Sequence, residues 1–409
     1  MAIDKQDTIK AIHFVESWLP QTQTWLYNHI TLLPENVESH VVCQWTLNLD
    51  QFPIAHLLSL DAPPRTLTLL QRALRRFGLW DDSGRHLKLL EQVIRAEKPR
   101  IIHSHFGNCG WVNASLGRKC GLRHVVSFYG LDLSYLPKID PRWRSRYREM
   151  SDLVDLVLCE GPHMARCIAD LGVDPQKIQV FRLGIDLSRI PFVPRKNDAN
   201  ATKRFLIAGS FREKKGIPYA LEALGLFSKT HPDIEITVIG DSGGSSREEH
   251  EKQRIQDAVA RHGLQAKTRF LGYQAHQVLI REFYRHDVFI SPSVTAADGD
   301  TEGGAPVTII EAAASGMPVV STTHCDIPFV LSDQNKPYLA PERDVAGLLA
   351  AIESLFRHKD WNIILSGNRQ LVEEELDLKR QAGKLAHIYQ SLLGNMVPET
   401  ANSSVGLEG

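Results

Sequence analysis

The chain has 409 residues, with 47 Lys and Arg against 48 Asp and Glu and a formal net charge of −1. That length is too great for one ordinary core and calls for two domains or three. Near-neutral charge and a 43% apolar fraction speak for a globular enzyme and against a nucleic-acid partner.

The opening MAIDKQDTIKAIHFV has no long apolar core, so no signal peptide is expected. No stretch approaches the ~20 apolar residues of a membrane span. The six cysteines (Cys43, Cys109, Cys120, Cys159, Cys167 and Cys325) form no C-x-x-C pair, which suits a reducing cytosol better than disulfides or zinc. The expected location is cytoplasmic, at most at the inner face of a membrane.

Short apolar runs then alternate with helical patterns. Strands are expected over 11–15, 39–43, 100–103, 125–128 and 153–159, with helices over 24–33, 111–117 and 162–171. A polar, proline-bearing stretch at 191–203 reads as a linker. The pattern restarts with strands at 204–208, 235–239, 269–271, 288–291 and from 319, and helices at 218–229, 245–262 and 278–284. Helices at 345–356 and 376–395 close the chain, and 396–409 is expected to be disordered. Such alternation gives an α/β fold of two Rossmann-like domains, 1–190 and 204–375, each with a parallel, doubly wound sheet.

Most chemistry-bearing residues fall at the carboxyl ends of these strands, where open α/β sheets bind ligands. His103 and His105 alternate onto one face, and two histidines without an acidic partner do not make a zinc site. Gly209–Gly216 carries Arg212, Lys214 and Lys215. Gly240 begins a glycine turn that lacks the G-x-G-x-x-G spacing of a nicotinamide site. Asp298-Gly299-Asp300 has the form of a metal-binding D-x-D, but a hard cation needs more oxygens gathered together, so no metal is expected.

The segment 298–328 is the most informative. Gly303 and Gly304 free the backbone before Pro306, expected as the first helical residue; Gly316 stops the helix and Pro318 prevents its continuation. A helix opening from a glycine loop offers N–H groups and a positive dipole end to phosphate. At 100° per residue, Val307, Ile309, Ile310, Ala313 and Ala314 form an apolar arc. The other face is small apart from Glu311, so something is expected to dock there with Glu311 as its hydrogen-bonding handle. The alternative is a surface Glu beside a packed helix.

This segment resembles the signature of the retaining glycosyltransferases of family 4, which share the GT-B fold. Eight residues rather than seven separate Glu302 from Glu311, and the closing turn Asp326-Ile327-Pro328-Phe329 lacks the family's Gly and Glu. Lys215 lands on the family's diphosphate-binding Lys; the family's Arg position is Ser210, which makes Arg212 the candidate substitute. Ser127-Phe128-Tyr129-Gly130-Leu131-Asp132 resembles Phe-His-Gly-x-Asp, with Tyr129 at the histidine position. His103-Ser104-His105-Phe106-Gly107 resembles a His-x-His-Phe segment lining the cleft. Pro20 to Trp25, with Thr22 and Gln23, is similar to the opening motif of an exopolysaccharide- and lipopolysaccharide-building subgroup; helix capping by Thr22 or Thr24 is the structural alternative.

The resemblance implies two facing domains, with the 376–395 helix returning to the first. It implies retaining transfer of a sugar from a UDP- or GDP-sugar to a hydroxyl acceptor, a lipid-linked or cell-surface saccharide, without a cofactor. Glu311 would bind the ribose and Glu302 with the Gly303, Gly304 and Ala305 amides the transferred sugar, with Pro306 and Val307 also on the donor side. Arg212 and Lys215 would face the diphosphate, and the Gly240 turn would lie near the nucleotide of the donor. Catalytic roles fall to Glu302, Tyr129 and Asp132, and Thr22, Gln23, His105, Gly107 and Gly130 shape the acceptor side. Unperturbed Tyr129 does not titrate near neutrality, which speaks against a general base there. Basic stretches at 65–80 and 142–148 are either solvated helix faces or contacts to anionic lipid or a polyprenyl-diphosphate acceptor. The alternatives are a nucleotide-sugar 2-epimerase of the same fold, a non-catalytic nucleotide-sugar-binding module and, more distantly, a dehydrogenase.

Overall fold

The computed structural model describes residues 8–20, 23–60 and 83–394. Thr22, the basic stretch at 65–80 and the tail from 396 lie outside the described residues. In the first half, β1 (Ile9–Trp18), β2 (Val37–Thr46), β3 (Leu57–Ser59), β4 (Ile101–His105), β5 (Arg123–Ser127), β6 (Leu156–Cys159) and β7 (Ile178–Val180) form a sheet of order β3-β2-β1-β4-β5-β6-β7. In the second, β8 (Lys203–Ala208), β9 (Ile234–Ile239), β10 (Thr268–Phe270), β11 (Val288–Ser291), β12 (Val319–Thr322) and β13 (Leu339–Ala340) take the order β10-β9-β8-β11-β12-β13. All pairs are parallel. Each order reverses once, between β1 and β4 and between β8 and β11, and such switch points open the crevice that holds ligands.

Helices cover both faces of each sheet, so the central strands are buried on both sides and read as apolar runs. On one face of the second sheet, Phe205, Ile207, Val238 and Ile290 pack with Leu221, Leu224 and Leu355. On the other, Leu206 and Phe289 meet Ile309, Ile310 and Ala313 of helix Val307–Ala314. β4 departs furthest from this, burying His103, Ser104 and His105 in succession. Buried polar groups need partners, and these have them. Ser104 Oγ is 2.9 Å from His124 Nε2, and His103 bridges Ser127 Oγ (2.7 Å) and Tyr389 OH (2.6 Å).

Tyr389 belongs to the last helix, Leu378–Gly394, which crosses back to the first sheet and packs Leu385, Tyr389 and Leu393 beside Ile9, Ala11 and Ile101. The stretch read as a linker is docked rather than free. Val193 and Arg195 donate backbone bonds to Ser315 and Gly316, and a Cβ on Gly316 (φ 84°) would lie 2.6 Å from Val193 O.

Two boundaries differ from expectation for physical reasons. Pro306 stands at the N-cap with an extended ψ of 128°, and the helix begins at Val307. Proline fixes φ alone, so it serves just outside the first turn as well as inside it. Helix Gly107–Lys119 starts four residues earlier than its apolar pattern, because its first N–H is capped from a distance by Asp132.

Candidate active site

The loop after β8 brings its cations against the loop that precedes helix Val307–Ala314. Lys215 Nζ donates to Glu302 Oε2 at 2.9 Å, and Ser293 Oγ donates to Oε1 at 3.1 Å. Burial alone would raise the Glu302 carboxyl, but Lys215 and Lys214 outweigh it and hold it near a pKa of about 2. Its backbone N–H donates to His324 Nε2 at 3.2 Å. Arg212 and Lys214 grip the two oxygens of Asp300 at 2.6 and 3.1 Å, while Asp298 pairs with Arg247. The D-x-D carboxylates thus meet cations of the chain itself. Gly240 (φ 133°) closes this wall, where a Cβ would sit 1.9 Å from Gly209 O; no side chain fits there.

Helix Val307–Ala314 is buried around almost its whole circumference. Helix Asn362–Glu375 packs against it, contributing Val372 to the same core and an Arg369 bond to Ala314 O. Glu311, buried, bonds His276 Nε2 at 2.7 Å, and that hydrogen bond raises the His276 pKa.

From the first half, Tyr129 shares a 2.8 Å hydrogen bond with His105 Nδ1 and lies 4.4 Å from the Trp25 ring, centroid to centroid. Burial pushes its pKa further up, so the hydroxyl stays neutral. His105 is buried beneath Tyr129 rather than open to the cleft. His13 joins His103 and His105 in a three-histidine cluster whose ring nitrogens lie within 4.8 Å of one another. His13 Nδ1 and His105 Nε2 share a bond of 3.1 Å, and burial lowers all three pKa values.

Asp132 is fully buried and accepts from Gly107 N (2.7 Å), Gly130 N (3.0 Å) and Tyr129 N (3.1 Å). It clamps the loop that presents Tyr129. Burial raises its pKa to about 6 against the pull of those amides. Gln23 precedes helix Thr24–Thr31, without a side-chain capping bond, and borders a cavity of about 260 Å³ together with Phe106 and Leu131.

The halves touch here. A Cβ on Gly303 (φ 78°) would lie 2.4 Å from Gly130 Cα, so only glycines allow this approach. Two residues that sequence reasoning missed join the halves. Glu160, half-buried after β6, accepts from Ala305 N and leaves no room for a Cβ on Gly304. Burial and the nearby Asp326 raise its pKa. Asp326, buried, accepts from His163 N (2.7 Å) and Met164 N (3.1 Å) at the start of helix Pro162–Asp170.

Residues 190–382 match the family described as Glycosyl transferases group 1, and residues 23–189 match Glycosyltransferase Family 4. The chain belongs to the group 1 glycosyltransferases of family 4. It is 26% identical to the putative colanic acid biosynthesis glycosyltransferase WcaL of Salmonella typhimurium, over 80% of this chain and 81% of that one. It is 29% identical to the amylovoran biosynthesis glycosyltransferase AmsK of Erwinia amylovora, over 74% of each chain. Among solved structures, HepE of Anabaena in complex with UDP-glucose shares the fold, with a TM-score of 0.69 over 94% of this chain and 100% of that one at 16% identity.

This glycosyltransferase therefore has the GT-B architecture and belongs with the exopolysaccharide-type relatives. Its structure brings Glu302, Lys215, Arg212 and Gly303 to one side of the cleft and Tyr129 and Gly130 to the other. The basic stretch at 142–148 is largely engaged within the glycosyltransferase: Arg142 pairs with Asp140, Arg146 lies 4.7 Å over Trp111, and Arg144 bonds Asp170 O. No described helix is long and apolar enough to cross a membrane. Glu160 carried one usable signal, a carboxylate directly after a buried strand. Nothing local marked His276.

Proposed function

We propose that the enzyme transfers a sugar, with retention, from a nucleotide diphosphate-sugar to a hydroxyl of a lipid-linked or cell-surface saccharide. The observation that carries this is the Lys215–Glu302 pair beside Arg212 and Lys214 at the mouth of helix Val307–Ala314. Cations held there by carboxylates can exchange them for the two phosphates of a donor. The acceptor oxygen bonds to the anomeric carbon on the face from which the diphosphate leaves. The carbon–oxygen bond to phosphate breaks, and the acceptor proton passes to the departing diphosphate. Tyr129, held neutral, donates a hydrogen bond and takes no proton, and no metal is required where Lys215 and Arg212 neutralise the leaving group. Glu311 exchanges His276 for the ribose hydroxyls. A UDP- or GDP-sugar fits this reading; HepE, of the same fold, was solved with UDP-glucose. The names of WcaL and AmsK, both polysaccharide biosynthesis enzymes, support the acceptor class.

Thermal shift against UDP-, GDP- and ADP-sugars identifies the donor, since a ligand at 100 times its Kd adds about 2.7 kcal/mol. Glu311→Ala is expected to weaken that binding at least tenfold, and nucleoside diphosphate is expected to appear only when acceptor is added. Undiminished binding by Glu311→Ala, or an epimerised donor without acceptor, would sink the proposal.

A further inference from the structure

The turn after β10 leads into helix His276–Phe283. Gly240 N donates to Gly272 O at 2.9 Å, which sets this turn beside the Gly240 turn at the carboxyl ends of the strands. His276 opens the helix, and Leu279 and Phe283 follow three and seven residues on, along one stripe. Both pack in the core that holds Ile309 and Ile310 of helix Val307–Ala314. That packing brings the first residue of one helix beside Glu311 of the other, where His276 Nε2 and Glu311 Oε1 lie 2.7 Å apart.

The partners differ in their access to water: the Glu311 side chain is 8% exposed and the His276 ring 42%. Among the described residues no other cation pairs with Glu311. One further charged group, Arg189, acts on His276, and it is itself paired with Asp186 at 3.1 Å. The dipole of helix His276–Phe283 also opposes a cation at its first residue. What keeps a proton on His276 is therefore Glu311. Its hydrogen bond and its charge raise the His276 pKa against the opposing effects of burial and Arg189.

We propose that His276 is a proton-controlled gate of the donor site: protonated, it holds Glu311 against the ribose, and neutral, it yields Glu311, so that donor binding expels a proton to water. This gate presupposes that Glu311 binds the ribose, as proposed above. Ribose hydroxyls offer the carboxylate neutral hydrogen bonds, and against protonated His276 they must displace a charge-assisted one. Once displaced, the exposed ring returns towards its ordinary 6.5. Donor then drives off the proton, and acid drives off the donor to the same extent. The sign follows from the raised value in the donor-free enzyme. Donor affinity is lowest below 6.5, where His276 is protonated in both states, and it climbs through the interval up to the raised value. Above that interval it is constant. The enzyme thus loses donor as its surroundings acidify.

Isothermal titration calorimetry of the full chain tests this, with the nucleotide sugar chosen by the donor panel, in HEPES and in Tris at equal pH. Both phosphates of that ligand are esterified, so it lacks the ionisation at roughly pH 6 that a terminal phosphate has. The difference in heat between buffers counts the protons released. Wild type is expected to release a fraction of a proton per donor between pH 6.5 and pH 8.5, and to bind about threefold or more weakly at pH 6.0 than at pH 8.5. His276→Gln keeps a neutral hydrogen-bond donor beside Glu311 and should lose both effects. Asp132, which titrates near 6, is present in both proteins, so the comparison removes it. A second readout needs no variant: one histidine Cε1–H resonance of wild type should titrate at lower pH when donor is added.

No proton release by wild type in that range, equal release by His276→Gln, or histidine titrations unmoved by donor overturns the gate. If no nucleotide sugar binds, the ribose reading falls and takes the gate with it. If donor binds and no proton leaves, the gate alone is wrong.

Discussion

Lys215 and Glu302 form the ion pair on which the cleft's electrostatics turn. Glu302 is nearly sealed from water, and its carboxyl stays ionised only because Lys215 and Lys214 face it. Lys215→Ala leaves a buried carboxylate without its main partner, a change that costs about 3–5 kcal/mol in comparable sites. The sign with pH follows from the depressed value of about 2. Wild type keeps this stabilisation above the ordinary carboxylate range near 4.5 and loses it as pH falls towards 2. Urea unfolding at pH 7 and pH 3 should therefore show a large gap between wild type and variant at pH 7 that narrows at pH 3. Activity should also drop about 100-fold if Lys215 neutralises the leaving group; an unchanged rate would show that the lysine serves stability alone. At this scale the sequence was most legible where a residue follows a strand within a glycine-rich turn, as with Lys215. It was least legible at His276 and Glu160, whose partners are 35 residues away in one case and across the cleft in the other.

Helix Gly107–Lys119 and the Tyr129 loop depend on one another through Asp132. The helix has no side-chain cap of its own, and Phe106 before it sits at φ 76°. The Asp132 carboxylate supplies the cap and fixes the Tyr129–Gly130 amides as well. A helix start with neither Ser, Thr, Asp nor Asn before it carries no local signal, which is why the predicted helix began at Trp111. The edge strands β3, β7 and β13, two or three residues each, were missed because so short a run shows no period. The folded pKa of Asp132, about 6, lies above its ordinary 3.8, so protonation favours the folded state. That contribution is complete below 3.8 and is lost as pH rises through about 6. Asp132→Asn carries no charge at any pH. The melting temperature of wild type relative to this variant should therefore fall between pH 4 and pH 7, and a constant difference across that range would refute the assignment.

Over the whole molecule, alternation of apolar runs was enough to read two doubly wound sheets. The closed arrangement of the halves was not readable, because it rests on contacts between residues far apart in sequence. Asp326 is the clearest of these. Its carboxylate caps helix Pro162–Asp170 of the first half, while its own N–H donates to Gly304 O beside the donor loop. Gly161 leaves the space for it, since a Cβ there would lie 2.3 Å from the carboxylate. Together with the Glu160 bond to Ala305, the Gly130–Gly303 contact and the Lys138 bond to Ala297 O, this holds the halves together across the cleft. A donor enters the Glu302 loop only when these bonds open transiently, so they slow its entry and, once re-formed, slow its release. Asp326→Ala removes the cap and leaves two amides to water, while each half keeps its own core. Its radius of gyration by small-angle X-ray scattering should increase relative to wild type in the absence of ligand, and donor should associate faster. Donor should also dissociate faster, because the closed complex loses the same bonds. An unchanged radius of gyration together with unchanged association would mean that the remaining contacts hold the halves closed without Asp326.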